Sequence, residues 1–173
     1  MLVKAVGAAA VLVSSYILGL YFSKSGYFRQ HDLEQLKKAA TIFRAELLYS
    51  SSPLFEVFNQ ISIRTTGAVS MIFKEASESF EKRNGVSAEE IWANSIIKES
   101  GHAYFNSEDI ENMFSFGRTL GFADKSQQAD NAAILISYIE SAQEEIREKR
   151  RTEERLYKAL GLLGGIMVCV ILF

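Results

Sequence analysis

Uncharged apolar runs close both ends of this chain, and they constrain everything between them. From Ala5 to Phe22 eighteen residues pass without a charge. As a helix they reach roughly 27 Å at about 1.5 Å per residue, close to the thickness of a bilayer's hydrocarbon core. Lys4 would suit the basic start of a secretory leader, but the SKSGYFRQH that follows offers no small-residue cleavage site, so a retained anchor is expected. Fifteen more uncharged residues run from Ala159 to Phe173. They cover roughly 22 Å, short for a span, and Lys158 would have to snorkel outward to complete it. Two such runs predict an N-terminal membrane segment at 1–23, a helical domain at 24–158 and a C-terminal membrane segment at 159–173.

Charge assigns the middle to one side. Lys24, Arg29, Lys37 and Lys38 follow the first run while Lys4 alone precedes it; Arg147, Lys149, Arg150, Arg151, Arg155 and Lys158 precede the second, with no basic residue after it. The positive-inside rule places the middle in the cytoplasm and both short tails outside, a hairpin-anchored protein. All 21 acidic and 18 of the 19 basic residues lie between Lys24 and Lys158, a net charge of 18 − 21 = −3 for that region. A near-neutral domain is not expected to bind nucleic acid. The single cysteine, Cys169, sits in the apolar tail, so no intrachain disulfide can form. His31 and His102 have no second ligand at metal spacing, and neither a metal nor a cofactor is expected.

The middle reads as helix almost throughout, predicting an all-α, elongated bundle of about six helices. Leu33, Leu36, Ala40, Phe43 and Leu47 form an apolar stripe over about 32–49. Pro53 suits the first position of a second helix, with Ser52 as its N-cap and Leu54, Val57, Phe58 and Ile61 turned inward. After RTTG, Val69, Ile72, Phe73, Ala76 and Phe80 repeat the pattern until Gly85 breaks it. Ser87 and Glu90 have capping-box spacing ahead of Ile91, Trp92, Ile96 and Ile97. Asn106 or Ser107 would cap the next helix, carrying Ile110, Met113, Phe114, Phe116 and Leu120. A long polar helix follows from about Ser126 with Ala129, Ala133, Ile136 and Ile139 inward.

Beyond Glu140 the apolar stripe fades, and residues 140–158 hold six acidic and six basic side chains. Glu145 with Lys149 and Glu154 with Lys158 have the favourable i,i+4 order. A solvated face is one reading of these charges and a docking stalk for a cytoplasmic partner the other. No phosphate-binding loop, H-E-x-x-H, G-x-S-x-G or C-x-x-C occurs. Glu108 with Asp109 or Glu111 would supply paired carboxylates, but nothing enclosing separates their pKa values, and no enzyme is expected. Gly161 and Gly165, with Ser15 and Gly19, give small-x-x-x-small spacing that would let two spans approach closely.

Several phrases in order resemble one family. RAELLYSSSPLFEVF with Glu46, Tyr49, Pro53 and Leu54, SAEEIWANSI with Trp92, and FGRTLGFADKSQQ with Phe116, Gly117, Leu120, Gly121, Asp124 and Gln128, followed by the LGLLGG tail, are similar to the stage III sporulation protein AB family of endospore-forming bacteria. The resemblance implies a membrane component, needed for endospore formation, of the channel between mother cell and forespore. It implies a domain like the F-type platform proteins of type II secretion, a cytoplasmic secretion-type ATPase encoded beside it as partner, and further contacts with the bilayer and other membrane subunits. Its place would be the mother-cell membrane around the forespore. A homo-oligomer would be expected by analogy alone.

On that basis Glu34, Glu46, Glu75 and Glu78 are candidate contacts for the ATPase, while a simple anchor or regulator that assembles with other membrane subunits is the alternative. Gly117 and Gly121 near a helix end would permit a left-handed cap or a close backbone approach. Asp124 would cap the last helix with Gln128 supporting the same start, or these two and Arg118 would face a partner.

Overall fold

The computed structural model describes residues 27–50, 52–82, 85–121 and 124–172. Every regular element among them is helical. Helix α1 covers 27–49, α2 Leu54–Arg64, α3 Gly67–Glu81, α4 Ala88–Glu99, α5 Ser107–Gly117 and α6 Lys125–Leu172, with a three-residue 3-10 turn at Ser100–His102 between α4 and α5. No strand occurs among the described residues. Helix α6, 48 residues long, would extend about 72 Å at 1.5 Å per residue.

Each helix starts where its local chemistry allows. Ser87 Oγ accepts the Glu90 N–H at 3.2 Å, the serine half of the box expected at α4. Asn106 is the N-cap of α5, and there both halves form: the Asn106 side chain accepts from Asp109 N at 2.7 Å while Asp109 Oδ2 accepts from Asn106 N at 2.8 Å. Asp124 starts α6, its Oδ1 accepting from Gln127 N at 2.7 Å and its carbonyl from Gln128 N at 3.0 Å. The second helix differs from the expectation. Pro53 is its N-cap, not its first residue, and Ser52 does not cap it; the Ser52 and Ser50 hydroxyls bond each other at 2.7 Å instead.

Helices α2 and α3 form an antiparallel hairpin, registered at one place by Ser77 Oγ donating to Phe55 O (2.7 Å) and at another by Ser70 Oγ donating to Ser62 O (2.6 Å). Next, α3 packs on α4, α4 on α5 and α5 on α6. Helix α1 runs antiparallel to α6. Lys125 at the start of α6 donates from Nζ to Ser50 O at 2.9 Å, Lys37 pairs with Glu140 at 2.8 Å midway, and the Arg150 guanidinium lies over the Tyr27 ring at 5.8 Å.

Aromatic rings fill the centre. Trp92 of α4 meets Phe58 of α2, Phe73 of α3 and Phe116 of α5 at centroid distances of 5.5, 5.0 and 5.6 Å, and Phe43 of α1 closes the cluster against Phe58 and Phe116 at 5.8 and 5.1 Å. Five helices thus contribute a ring to one core, in the edge-on and tilted arrangements that favour the ring quadrupoles. The indole N–H is satisfied inside it, donating to Met113 O at 2.7 Å. Leu33, Leu36, Ile61, Ile72, Ile96, Leu120 and Ile139 complete the core.

Three expectations shift. Ile97 is 68% exposed, so α4 buries Ile91, Trp92, Ser95 and Ile96. The buried stripe of α6 is Ala129, Ala132, Leu135, Ile139, Ala142 and Ile146, with Ala133 and Ile136 only half-buried, and it continues beyond Glu140. Helix α1 starts by residue 27, not near 32, because tertiary partners hold its first turns: Phe28 stacks on Tyr104 at 4.9 Å and Asp32 Oδ2 accepts from Tyr104 N at 2.8 Å.

The membrane segments are a separate matter. Residues 1–23 lie outside the described residues. The run 159–173 continues α6 as helix to Leu172, and no helix among the described residues is long and apolar enough to cross a membrane. Gly161 and Gly165 fall in this terminal part of α6, while Ser15 and Gly19 lie outside the described residues.

Both glycines of the α5 end are explained by close quarters. A Cβ on Gly117 would sit 2.1 Å from Trp92 Cδ1, and Gly121 has φ +88° with a Cβ position 3.0 Å from Ala88 Cβ. Trp92 cannot retreat, being ringed by aromatics and bonded to Met113. Gly117→Ala should therefore destabilise the domain by about 1–3 kcal/mol through overpacking. Gly121→Val should also lower the melting temperature, since a β-branched residue is strained at positive φ. Gly101→Ala, with open space around it, should change little. Urea unfolding followed by the fluorescence of the single tryptophan checks all three; an unshifted midpoint for Gly117→Ala would overturn the account of the Trp92 contact.

Candidate partner-binding interface

Asp109 is where burial and charge collide. Its inward position in the first turn of α5 leaves its side chain 0% exposed, a cost that four donors offset. Arg29 of α1 binds it in fork geometry, Nε to Oδ2 at 2.8 Å and Nη2 to Oδ1 at 2.9 Å. Tyr138 of α6 donates its hydroxyl to Oδ1 at 2.7 Å, and the Asn106 N–H supplies the fourth bond. Burial pushes the carboxyl upward, but these bonds and the guanidinium charge prevail and hold it below its ordinary value. The same pairing raises Arg29, while burial first and then the bond to Asp109 push the Tyr138 phenol up. One carboxylate thereby fixes α1, α5 and α6 to one another.

On sequence alone Asp109 is only a possible acid or base beside Glu108 and Glu111. The structure makes it a structural ion pair instead. Glu108 and Glu111 are exposed on the outer face. Asn106 is one of two cap candidates for this helix in the sequence, but the box it forms with Asp109 is not foreseen there, and the partner Arg29, eighty residues away, carries no local signal.

The four candidate glutamates do not form one cluster by bonding. Glu34 and Glu46 lie on α1, twelve residues apart and thus about 18 Å along the helix, and Glu75 and Glu78 lie one turn apart on α3. Glu34 and Glu78 are exposed, while Glu46 is half-buried. Glu75 is already engaged, pairing with Lys98 of α4 at 2.7 Å. Of the stalk pairs, Glu145 and Lys149 are exposed, and the ion pair present there joins Arg147 to Glu144 at 3.3 Å. Glu154 and Lys158 lie outside the described side chains.

The motif residues divide by environment. Trp92, Phe116 and Leu120 are buried, Leu54 is half-buried against the core, Pro53 and Asp124 cap helices, and Gln128 lies half-buried in the first turns of α6. Arg118 is exposed at the end of α5. Tyr49 alone has no structural task, standing 89% exposed beside Leu48, itself 53% exposed, at the end of α1.

This arrangement can be set beside known proteins. A family model described as stage III sporulation protein AB matches residues 4–173. The chain belongs to the stage III sporulation protein AB family. The protein of that description from Bacillus subtilis (strain 168) is 25% identical over 171 residues, covering 99% of both chains. A solved structure of a stage III sporulation protein AB superposes with a TM-score of 0.67 at 24% identity, over 72% of this chain and 98% of that one, and so shares the fold. Membership of the stage III sporulation protein AB family implies a role in sporulation.

The buried pair generates a test. Leaving Arg29 beside a vacated site should cost about 3–5 kcal/mol, the range for breaking a buried ion pair by removing one partner, so Asp109→Ala should lower the urea midpoint accordingly. Because the folded carboxyl lies below its unfolded value, its contribution is complete above the ordinary carboxylate range and is lost as pH falls through the depressed folded value. The gap in stability between wild type and Asp109→Asn should therefore be wide at pH 7 and narrow toward pH 3. A gap independent of pH would contradict an ionised Asp109.

Proposed function

We propose that this chain is a non-enzymatic membrane platform of the sporulation channel, or secretion-like complex, between mother cell and forespore. Its helical domain faces the cytoplasm and docks a secretion-type ATPase, and its place is the mother-cell membrane around the forespore. The observation that carries this reading is the antiparallel pairing of α1 and α6. Tyr27 at the start of α1 lies against Arg150 of α6, so the chain enters and leaves the bundle at the same end. Apolar runs continuing from both helices would leave the bundle side by side, as a hairpin anchor requires, and the opposite end would project from the bilayer.

The interior adds support of a different kind. Asp109 is occupied by four donors and joins α1, α5 and α6, while Asp32, also buried, accepts from Tyr104 N and ties α1 to the segment before α5. Helix-fixing polar groups beneath charged faces suit a protein that presents a surface.

The acidic faces are the proposed contacts. Glu34 and Glu78 are free of ion pairs among the described residues, so Glu34→Lys and Glu78→Lys should weaken association with the ATPase most, by about tenfold or more, equivalent to roughly 1.4 kcal/mol. Glu46→Lys and Glu75→Lys should have smaller effects, the latter mixed with the loss of the Lys98 pair. The full chain in detergent, tested for ATPase capture and in cells for spore yield, provides the measurement. Binding and spore counts that survive all four reversals in a folded protein would remove the acidic faces from the interface and favour the membrane segments as the assembling parts.

A further inference from the structure

Gln143 of α6 is placed where a leucine would be at home. It is 4% exposed between Ala142 and Ile146 in the buried stripe, yet its Nε2 has no hydrogen-bond partner. A buried amide donor without an acceptor loses its hydration and gains nothing in return. Such a group calls for an acceptor that the chain does not itself supply, an ordered water or a bound group.

The surroundings say what that acceptor is. Gln143 lines an open groove of about 430 Å3 between α1 and α6, together with Glu34, Lys37, Lys38, Thr41 and Arg147. Most of these groups are already engaged. Lys37 pairs with Glu140, Arg147 with Glu144, Thr41 donates its hydroxyl to Lys37 O at 2.8 Å, and Glu34 accepts from Gln30 at 3.4 Å. Left over are two donors, the Gln143 amide and the ammonium of Lys38, which is exposed and has no partner among the described residues. A group that accepts from an amide and compensates a lysine is an anion with free lone pairs.

We propose that the α1–α6 groove binds an aspartate- or glutamate-bearing segment of a partner protein, its carboxylate taken by Gln143 Nε2 and Lys38 Nζ. A lipid phosphate offers similar chemistry but is out of reach. Gln143 lies sixteen residues before Ala159, about 24 Å along α6; this step rests on the apolar tail lying in the bilayer. The site borders the acidic face proposed for the ATPase at Glu34, but it rests on Gln143 and Lys38, and its failure would leave that reading untouched.

The test uses the full chain, 15N-labelled, in nanodiscs of zwitterionic lipid, titrated with a hexaglutamate peptide. The Gln143 side-chain amide signals should shift saturably, and Lys38→Glu should weaken the apparent affinity at least tenfold while Lys98→Glu, on α4, leaves it unchanged. Gln143→Leu should weaken binding similarly while holding or raising the melting temperature by a few degrees, which separates a binding role from a folding one. A peptide that leaves the Gln143 amide unmoved overturns the proposal. So does an amide that moves only when phosphatidylglycerol is introduced, which would give the groove to lipid.

Discussion

A carboxylate with no exposed surface persists in this bundle because four donors, from two other helices and the cap of its own, converge on it. Asp109 would otherwise have to neutralise itself or drag α5 toward water. The bidentate contact with Arg29 sets the rotation of α1 as well as its distance, since a planar fork tolerates little misalignment. Tyr138 does the same for α6. The apolar core alone would leave these three helices free to slide along greasy faces; the polar centre fixes their register.

That register organises both ends of the domain. Helix α1 is held near its start by Arg29, Phe28 and Asp32, midway by Lys37, and at its far end through Ser50 and Lys125. Because α6 is antiparallel to it along this whole length, the start of α1 and the Arg150 stretch of α6 lie at the same end of the bundle. The surface pairs among these contacts contribute little individually, so the alignment depends on the buried pair and on the ring cluster around Trp92. Gly117 belongs to the same design: the backbone of α5 comes so near the indole that no Cβ fits between them.

The all-helical class, most helix positions, the Ser87, Asn106 and Asp124 caps and the left-handed glycine were legible because each depends on neighbours in sequence. What escaped depends on distant partners. Arg29 looked like one more basic residue beside a membrane run, and Asp109 like one of three acids on an exposed helix, until folding brought them together. The inward stripe of α6 was read one position off in places because alanines and isoleucines flank both candidate lines, and only the packing of α5 and α1 chooses between them. Its continuation to Ile146 was hidden among charges for the same reason. Ile97 was placed inward by hydrophobicity alone, whereas α4 has a single covered face, already filled by Trp92 and Ile96. The phrases that identified the family were legible as an ordered set, though most of them proved to be core and caps, with Tyr49 the exception.

Residues that the fold satisfies and residues that it leaves unsatisfied differ here in what they cost. Trp92, Gly117, Asp109 and the caps are satisfied within the chain, so replacing them removes something already present in the isolated molecule. Tyr49, Glu34, Glu78, Lys38 and Gln143 are the reverse. An exposed ring beside an exposed leucine and acids without ion-pair partners contribute little to this chain alone, and the buried Gln143 amide donor without an acceptor detracts from it. A leucine at position 143 and a polar residue at 49 would suit the isolated fold better, and the proposed contacts outside the chain would account for what stands there instead. These residues lie on α1 and its neighbours α3 and α6, the helices whose relative register the buried carboxylate and the aromatic core hold fixed. The proposed platform role would need that division, with interior polar groups giving rigidity beneath a surface that leaves others unsatisfied.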